Sequence, residues 1–421
     1  MKRFLFTYLA PVLIINFGNA CAYAFQIVLA RALTPADVGA FNALLSSVTL
    51  LAAPASIAPV AITRMTLMQH KAAGDAGIPA VVARTTIFAL LAALVVGVAT
   101  LMAGPWLQSL LKIRDTQTIV LFAGLFAVTL VFPVPAGWFQ GLGRNVAMSV
   151  IQGGMPILRF VFGFCLLWVF AGGLDAAVIA SALPCIVVFL GGLIVLWPGR
   201  AAFSQPLVPG LARDTLAFVL PAATSATLIY ALFNIDMVLV RALMPVDESG
   251  LYAMAAVVGR IPFLLPAALA GIFYADLARR QGDGPDRQRR LILLNLAVVG
   301  GIAFALAIAL ALVAEPLLVL MAGPHYASAA PLMRMSCVAM AGLSLLNLAV
   351  TLAMARDDHR PLLALLAGVL GFVLASVFLA TSAQHIALYL TVAIYAMLGV
   401  CLVILLGGRT EQSATAGEAM P

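Results

Sequence analysis

Charge is scarce in this chain. Of 421 residues only 9% are Asp, Glu, Lys or Arg, while 64% are hydrophobic and the mean hydropathy is +1.12. A soluble chain carries about a quarter charged residues. This one lacks the polar groups to cover its own surface, so lipid must be part of its solvent. Alternating apolar–polar segments are missing too, which excludes a transmembrane barrel. The five cysteines (Cys21, Cys165, Cys185, Cys337 and Cys401) fall in apolar runs with no CxxC spacing, and read as small core hydrophobes. His70, His325, His359 and His385 are scattered, without metal-ligand spacing. Large polar loops are absent, and carboxylates pair only at Asp247-Glu248 and Asp357-Asp358. A polymerase, ligase or glycosyltransferase would need such a loop for its acids, bases and donor site, so an enzyme is not expected.

What is present is a series of apolar runs from end to end, the mark of a polytopic helical membrane protein. Twelve spans are predicted, at about 4–33, 37–68, 78–103, 117–141, 145–171 and 175–197, then 213–243, 247–280, 288–314, 326–356, 360–381 and 385–407. The breaks carry Gly and Pro, as at Thr34-Pro35, Gly104-Pro105, Gly141 to Gly143 and Gly323-Pro324. Internal prolines, among them Pro11, Pro54, Pro59, Pro133, Pro135, Pro156, Pro221, Pro262 and Pro266, are expected to kink the longer helices. Met1-Lys2-Arg3 followed by an apolar run imitates a signal peptide, with Ala22-Tyr23-Ala24 as a cleavage site. The run continues to about Leu33, longer than a signal core, and retention is expected.

The chain contains itself twice. Leu29 to Asp37 reads LARALTPAD and Leu239 to Asp247 reads LVRALMPVD, identical at six of nine positions at an offset of 210. One extra residue in the second copy then aligns Gly39 with Gly250 and Phe41 with Tyr252. Residues 1–198 and 213–408 are therefore expected to be two similar six-helix bundles. A short proline-containing hinge (199–212) joins them, and a small polar tail (409–421), expected to be disordered, follows. Counting Lys and Arg orients the chain. With the N-terminus inside, sixteen of the twenty-three lie in cytoplasmic segments and four outside, and Arg159, Arg260 and Arg334 fall within spans. Both termini are expected in the cytoplasm. The net charge of +7 follows from this topology and needs no nucleic acid. Six helices plus six in the same orientation are parallel repeats, an arrangement that suits alternating access to a central site.

Three stretches, LARALTPADVGAFN (29–42), FQGLGRN (139–145) and NIDMVLVRALMPVDESGLY (234–252), resemble those of Wzx-type oligosaccharide flippases of the multidrug/oligosaccharidyl-lipid/polysaccharide exporter superfamily. The resemblance implies two pseudo-symmetric six-helix bundles around a central cavity in a bacterial inner membrane. It also implies outward movement of polyprenyl-pyrophosphate-linked oligosaccharide, a polysaccharide or O-antigen precursor. No cofactor is called for beyond a proton or sodium ion for coupling. Partners would be the lipid-linked oligosaccharide, membrane lipids and the polysaccharide polymerase machinery. The alternative within the superfamily is a cation-coupled drug exporter. Such pumps want cavity acids, commonly one in the first helix, and the first span here has none.

A charge near mid-bilayer costs at least ~2.5–3.5 kcal/mol, so each one is a functional candidate. Arg260 lies thirteen residues below Asp247 and Arg159 fourteen above Asn145, both ~20 Å deep; Arg334 lies at ~12 Å. Three arginines against Asp236 suggest a cationic site for a pyrophosphate, gripped bidentately. The bland alternative is static pairing with Asp236 and backbone carbonyls. Asp236 is the candidate for ion coupling or for a gating pair. Gln26, its repeat counterpart, and Asn234 are candidate cavity polar groups, although intramembrane asparagines more often bond between helices. Trp106, Trp138, Trp168 and Trp197 read as interfacial belt residues, with sugar stacking open for Trp138.

Overall fold

The computed structural model describes residues 10–197, 206–264, 266, 273, 285–356 and 358–407. The fold is all-α and polytopic, with no strand among these residues. Contacts divide the chain into two compact units, Met1–Ala226 and Thr227–Pro421. The first holds α1 (Ala10–Ala32), α2 (Pro35–Leu51), α3 (Ala58–Ala73), α4 (Ile78–Met102), α5 (Gly104–Leu111), α6 (Thr116–Val131), α7 (Val134–Gly141), α8 (Asn145–Phe164) and α9 (Leu174–Val195). The boundary falls inside α10 (Leu211–Leu243). The second unit continues with α11 (Val246–Gly259), α12 (Pro285–Leu312), α13 (Ala314–Ala322), α14 (Ala330–Met354), α15 (Arg360–Leu379) and α16 (Ala383–Gly407).

Ten helical stretches of the described residues are long and apolar enough to cross a membrane, and Pro35–Leu51 is a shorter apolar helix. Two expected spans account for the difference from twelve. The helix expected over 37–68 stops at Leu51, passes through a 3-10 turn at Ala53–Ile57 and restarts as α3. Pro54 has no N–H to donate and its ring crowds the preceding turn, so the ladder cannot continue. The helix expected over 247–280 stops likewise at Gly259, two residues before Ile261-Pro262. Its lower half, with the basic cluster at Arg279 and Arg280, lies mostly outside the described residues. So do the start of the first span, the first half of the hinge and the polar tail. Pro156 is different, lying inside the unbroken α8.

Apolar side chains on the spans face outward. Phe88, Met102, Leu312 and Phe378 are each more than three-quarters exposed, with 76, 80, 77 and 76% of their surface open. Such surface is stable only against hydrocarbon.

In the first unit α1 packs along α8, α3 on α7, α4 on α6, and α9 against both α6 and α8. Backbone closeness sets the α1–α8 contact. A Cβ added at Gly18 would lie 2.6 Å from the Gly153 carbonyl oxygen, and one at Gly153 equally close to that of Ile14. Small residues that let helices meet backbone to backbone are the usual means of association where water no longer drives it. Trp138 is not a belt residue. It is fully buried among Ile62, Val82, Val131 and Phe189, and its indole Nε1 donates to Thr85 Oγ1 at 2.9 Å. That partner removes the reason for an indole to seek the interface, and burial removes its face from any sugar. Trp106, Trp168 and Trp197 are more than half exposed. The end of the hinge is fixed by Gln69: its Nε2 donates to the Pro206 carbonyl and its Oε1 accepts from the Val208 N–H, at 3.3 and 3.0 Å.

In the second unit α14 is the buried centre, packed by α11, α12 and α16, with α15 on α16. The repeat is visible as two helix–turn–helix corners. At the first, the Thr34 hydroxyl accepts from the Asp37 N–H and donates to its carboxylate, capping α2. At the second, Arg241 Nη1 donates to Ser249 Oγ at 2.9 Å, and Ser249 Oγ donates to the Val246 carbonyl. Glu248, in the stretch where the second copy is one residue longer, accepts the Ala383 N–H on Oε1 at 2.8 Å and so caps α16. A carboxylate suits that end because the first N–H groups of a helix have no internal acceptor.

Candidate functional site

Each unit builds a polar cluster at the same place in its repeat. In the second unit α10 carries Asp236, α11 carries Tyr252 sixteen residues on, and Arg260 occupies the break at the end of α11. The Tyr252 hydroxyl donates to Asp236 Oδ2 at 2.7 Å and Arg260 Nη2 donates to Oδ1 at 3.2 Å. The carboxylate is almost wholly enclosed, with 2% of its side-chain surface open against 13% for Arg260. The guanidinium lies over the Phe233 ring, 4.7 Å from its centroid, and its Nε is enclosed without a hydrogen-bond partner. Position explains Arg260's reach: the helix stops at it, and its carbonyl takes the N–H groups of Phe263 and Leu264.

The first unit has the same frame with different chemistry. Gln26 stands where Asp236 stands, Phe41 where Tyr252 stands, and Thr49 where Arg260 stands. Thr49 turns back onto the Leu45 carbonyl. Gln26 Nε2 donates to Asn42 Oδ1 at 3.4 Å, and its Oε1 is enclosed without a partner. The charge comes instead from α8. Arg159 extends its guanidinium across two rings, 4.6 Å from the Phe25 centroid and 5.5 Å from that of Phe41. Gly163, one turn along α8, makes room because any side chain there would strike the Phe25 ring. Arg159 Nε and Nη2 are enclosed and meet no hydrogen-bond partner, and no carboxylate among the described residues pairs with it. Two aromatic faces offset part of the cost of burying a guanidinium, roughly 2 kcal/mol each when desolvated. They leave the in-plane N–H groups unsatisfied.

The two arginines are therefore different objects. Arg260 and Asp236 make a neutral pair, whereas Arg159 is a positive charge with two idle donors. Idle buried N–H groups are costly, ~1–3 kcal/mol each.

The other candidates lie elsewhere. Arg334, expected within a span, is exposed near the start of α14, and its Nε donates to the Ala311 carbonyl at the end of α12. That is an ordinary use of arginine, since the last carbonyls of a helix lack donors. Asn234 is buried but donates to the Tyr230 carbonyl of its own helix, as Asn16 does to Val12 and Asn42 to Val38. Of these, Asn42 also bonds between helices, accepting from Gln26. Sequence reasoning passed over Phe25, Phe41 and Tyr252 as site residues. The signal that could have found them was the aromatic pair Phe41/Tyr252 at one repeat position, beside the polar pair Gln26/Asp236.

Comparison with known proteins agrees with this architecture. The chain shares its fold with a multidrug resistance MATE family transporter of the MOP superfamily in an inward-facing conformation: TM-score 0.78, 14% identity, 98% of this chain and 99% of that one covered. It matches an outward-facing structure of such a transporter at TM-score 0.67 and 14% identity, covering 99% and 97%. The lipid II flippase MurJ, in an inward closed conformation, matches at TM-score 0.71 and 10% identity over 94% and 87%. No curated protein matches the sequence. With ten helical stretches of the described residues long and apolar enough to cross a membrane, and with this fold, the chain is a multi-pass membrane protein. A sequence model of the polysaccharide biosynthesis proteins matches residues 9–273, well over half of the chain, and the protein belongs to that family.

Proposed function

We propose that this protein moves a polyprenyl-pyrophosphate-linked oligosaccharide from the cytoplasmic to the outer leaflet of a bacterial inner membrane, by alternating access. The observation that carries this reading is Arg159: an enclosed guanidinium, flat against Phe25 and Phe41, with Nε and Nη2 idle. Those two donors lie in one plane and match two oxygens of a phosphate. Family membership supports a saccharide cargo, and the likeness to a protein named for flipping lipid II supports a lipid-linked one. Export of cationic drugs fits less well. Such a cargo needs an acid with charge to spare, and both oxygens of Asp236 are engaged, one of them by Arg260.

The test is translocation in proteoliposomes. A short-chain polyprenyl-pyrophosphoryl oligosaccharide should cross at least about tenfold faster than the same sugar on a neutral glycolipid, since one charge-assisted bond is worth ~1.5–3 kcal/mol. Equal rates, or export of a cationic dye in place of either lipid, would refute the assignment.

Orientation is proposed with it, both ends facing the cytoplasm, and has its own check. After replacement of the native cysteines, Thr34→Cys, at an exposed outer corner, should react with an impermeant maleimide in sealed cells. Asp75→Cys, whose side chain is 95% exposed on the opposite side, should react only after permeabilisation. The reverse pattern inverts the topology, and with it the direction of transport.

A further inference from the structure

The first unit's cluster holds a third idle atom, of the opposite kind to the two on Arg159. Gln26 Oε1 is an enclosed acceptor without a hydrogen-bond partner. A neighbour decides which end of this amide is left over. Asn42 Nδ2 donates to the Val38 carbonyl at 3.0 Å, which turns Asn42 Oδ1 toward Gln26. Gln26 can meet that oxygen only with its nitrogen, and does so at 3.4 Å, leaving its carbonyl unengaged. The duplicated half shows what fills this place there. Asp236 has both oxygens engaged, by the Tyr252 hydroxyl and by Arg260. At the matching positions of the first half, Phe41 has no hydroxyl and Thr49 donates to the Leu45 carbonyl. The frame is kept, but neither of its internal donors is.

The acceptor and the idle donors share one level of the unit. Gln26 follows Phe25 on α1 and Asn42 follows Phe41 on α2. The two helices touch at both pairs, through rings 5.8 Å apart and through the amides. Arg159 lies over both rings. A ligand that satisfies this level offers acceptors to Arg159 and a donor to Gln26. An ionised pyrophosphate diester has acceptors alone, and a polyprenyl chain has neither. The donor has to come from the saccharide, and the one nearest the phosphate is on carbon 2 of the first sugar.

We propose that Gln26 is a specificity-determining residue for the cargo. Its Oε1 accepts from the hydroxyl or acetamido N–H on carbon 2 of the sugar joined to the pyrophosphate, while Arg159 holds phosphate oxygens. This rests on the cargo assignment above. A site built to bond a donor rejects an analogue without one, because its own buried acceptor is then left unmatched.

The test uses the full-length protein in proteoliposomes with three short-chain polyprenyl-pyrophosphoryl sugars. They differ only at carbon 2 of the first sugar: acetamido, hydroxyl or deoxy. At least one of the first two should cross about tenfold faster than the 2-deoxy cargo, and the faster one names the substituent. Gln26→Met, of similar shape but without the acceptor, should move all three at the slow rate. Asn42→Leu frees the amide from its fixed orientation and should cut the preference to a few-fold, an independent check if Gln26→Met does not fold. Equal rates for the three cargoes in the unmodified protein, or a preference untouched by either change, overturn the proposal. In both cases the pyrophosphoryl cargoes still outpace a neutral glycolipid. If they do not, the cargo assignment itself fails, and the role of Gln26 with it.

Discussion

Arg159→Ala should lower transport of the lipid-linked sugar at least about 100-fold while the protein remains in the membrane at its normal level. Two charge-assisted bonds at ~1.5–3 kcal/mol each give that factor, at 1.4 kcal/mol per tenfold. Stability should change little. Alanine removes the attraction to Phe25 and Phe41, but it also removes an enclosed charge that has no counter-ion. Arg159→Lys should recover only part of the activity, because an ammonium cannot present two coplanar donors. Translocation by reconstituted variants, normalised to protein, is the measurement. Full activity of Arg159→Ala would leave the proposed cargo site without its principal residue.

The second large effect concerns the Asp236–Arg260 pair, where single and double changes should diverge. Arg260→Ala leaves the Asp236 carboxylate enclosed with only neutral donors such as Tyr252, and Asp236→Asn leaves Arg260 enclosed without its counter-charge. Breaking a buried pair by removing one partner costs ~3–5 kcal/mol, so each single variant should unfold at markedly lower temperature in detergent. Changing both to neutral residues should restore most of the loss, since pair and replacement are then both uncharged. Transport should not return with stability. A coupling ion or an opening of the pair requires the carboxylate itself, and Asn with Ala supplies neither. If the double variant both folds and transports, the pair is a static brace.

Much of this was legible in the sequence because it followed from spacing. The repeat was visible as six identities at one offset, and the two corners follow it. Asp236 and Arg260 stood out because few residues in the spans carry charge. What stayed hidden depended on direction around a helix. Arg334 was assigned depth from its place in an apolar run, but it sits a turn into α14, where the end of α12 offers it a carbonyl. Trp138 looked interfacial because it ends an apolar run. Its position opposite Thr85, fifty-three residues earlier, could not be read from local pattern. The most informative contrast was equally hidden: two arginines of similar predicted depth, one neutralised and one not. That difference depends on Arg260 occupying a helix break within reach of Asp236, whereas Arg159 projects between two rings.

The second corner, one residue longer than the first, reaches further along the chain. In the first corner the Thr34 side chain bonds to Asp37, within the turn itself. In the second, Glu248 ties the turn to the start of α16, a 25-residue helix ~37 Å long. The far end of that helix is tied in turn by Arg356 at Leu405. A hydrogen-bonded helix resists compression, so α16 is a rod pinned at both ends. The corner beside Asp236 is thereby joined through α16 to Leu405 at the helix's other end.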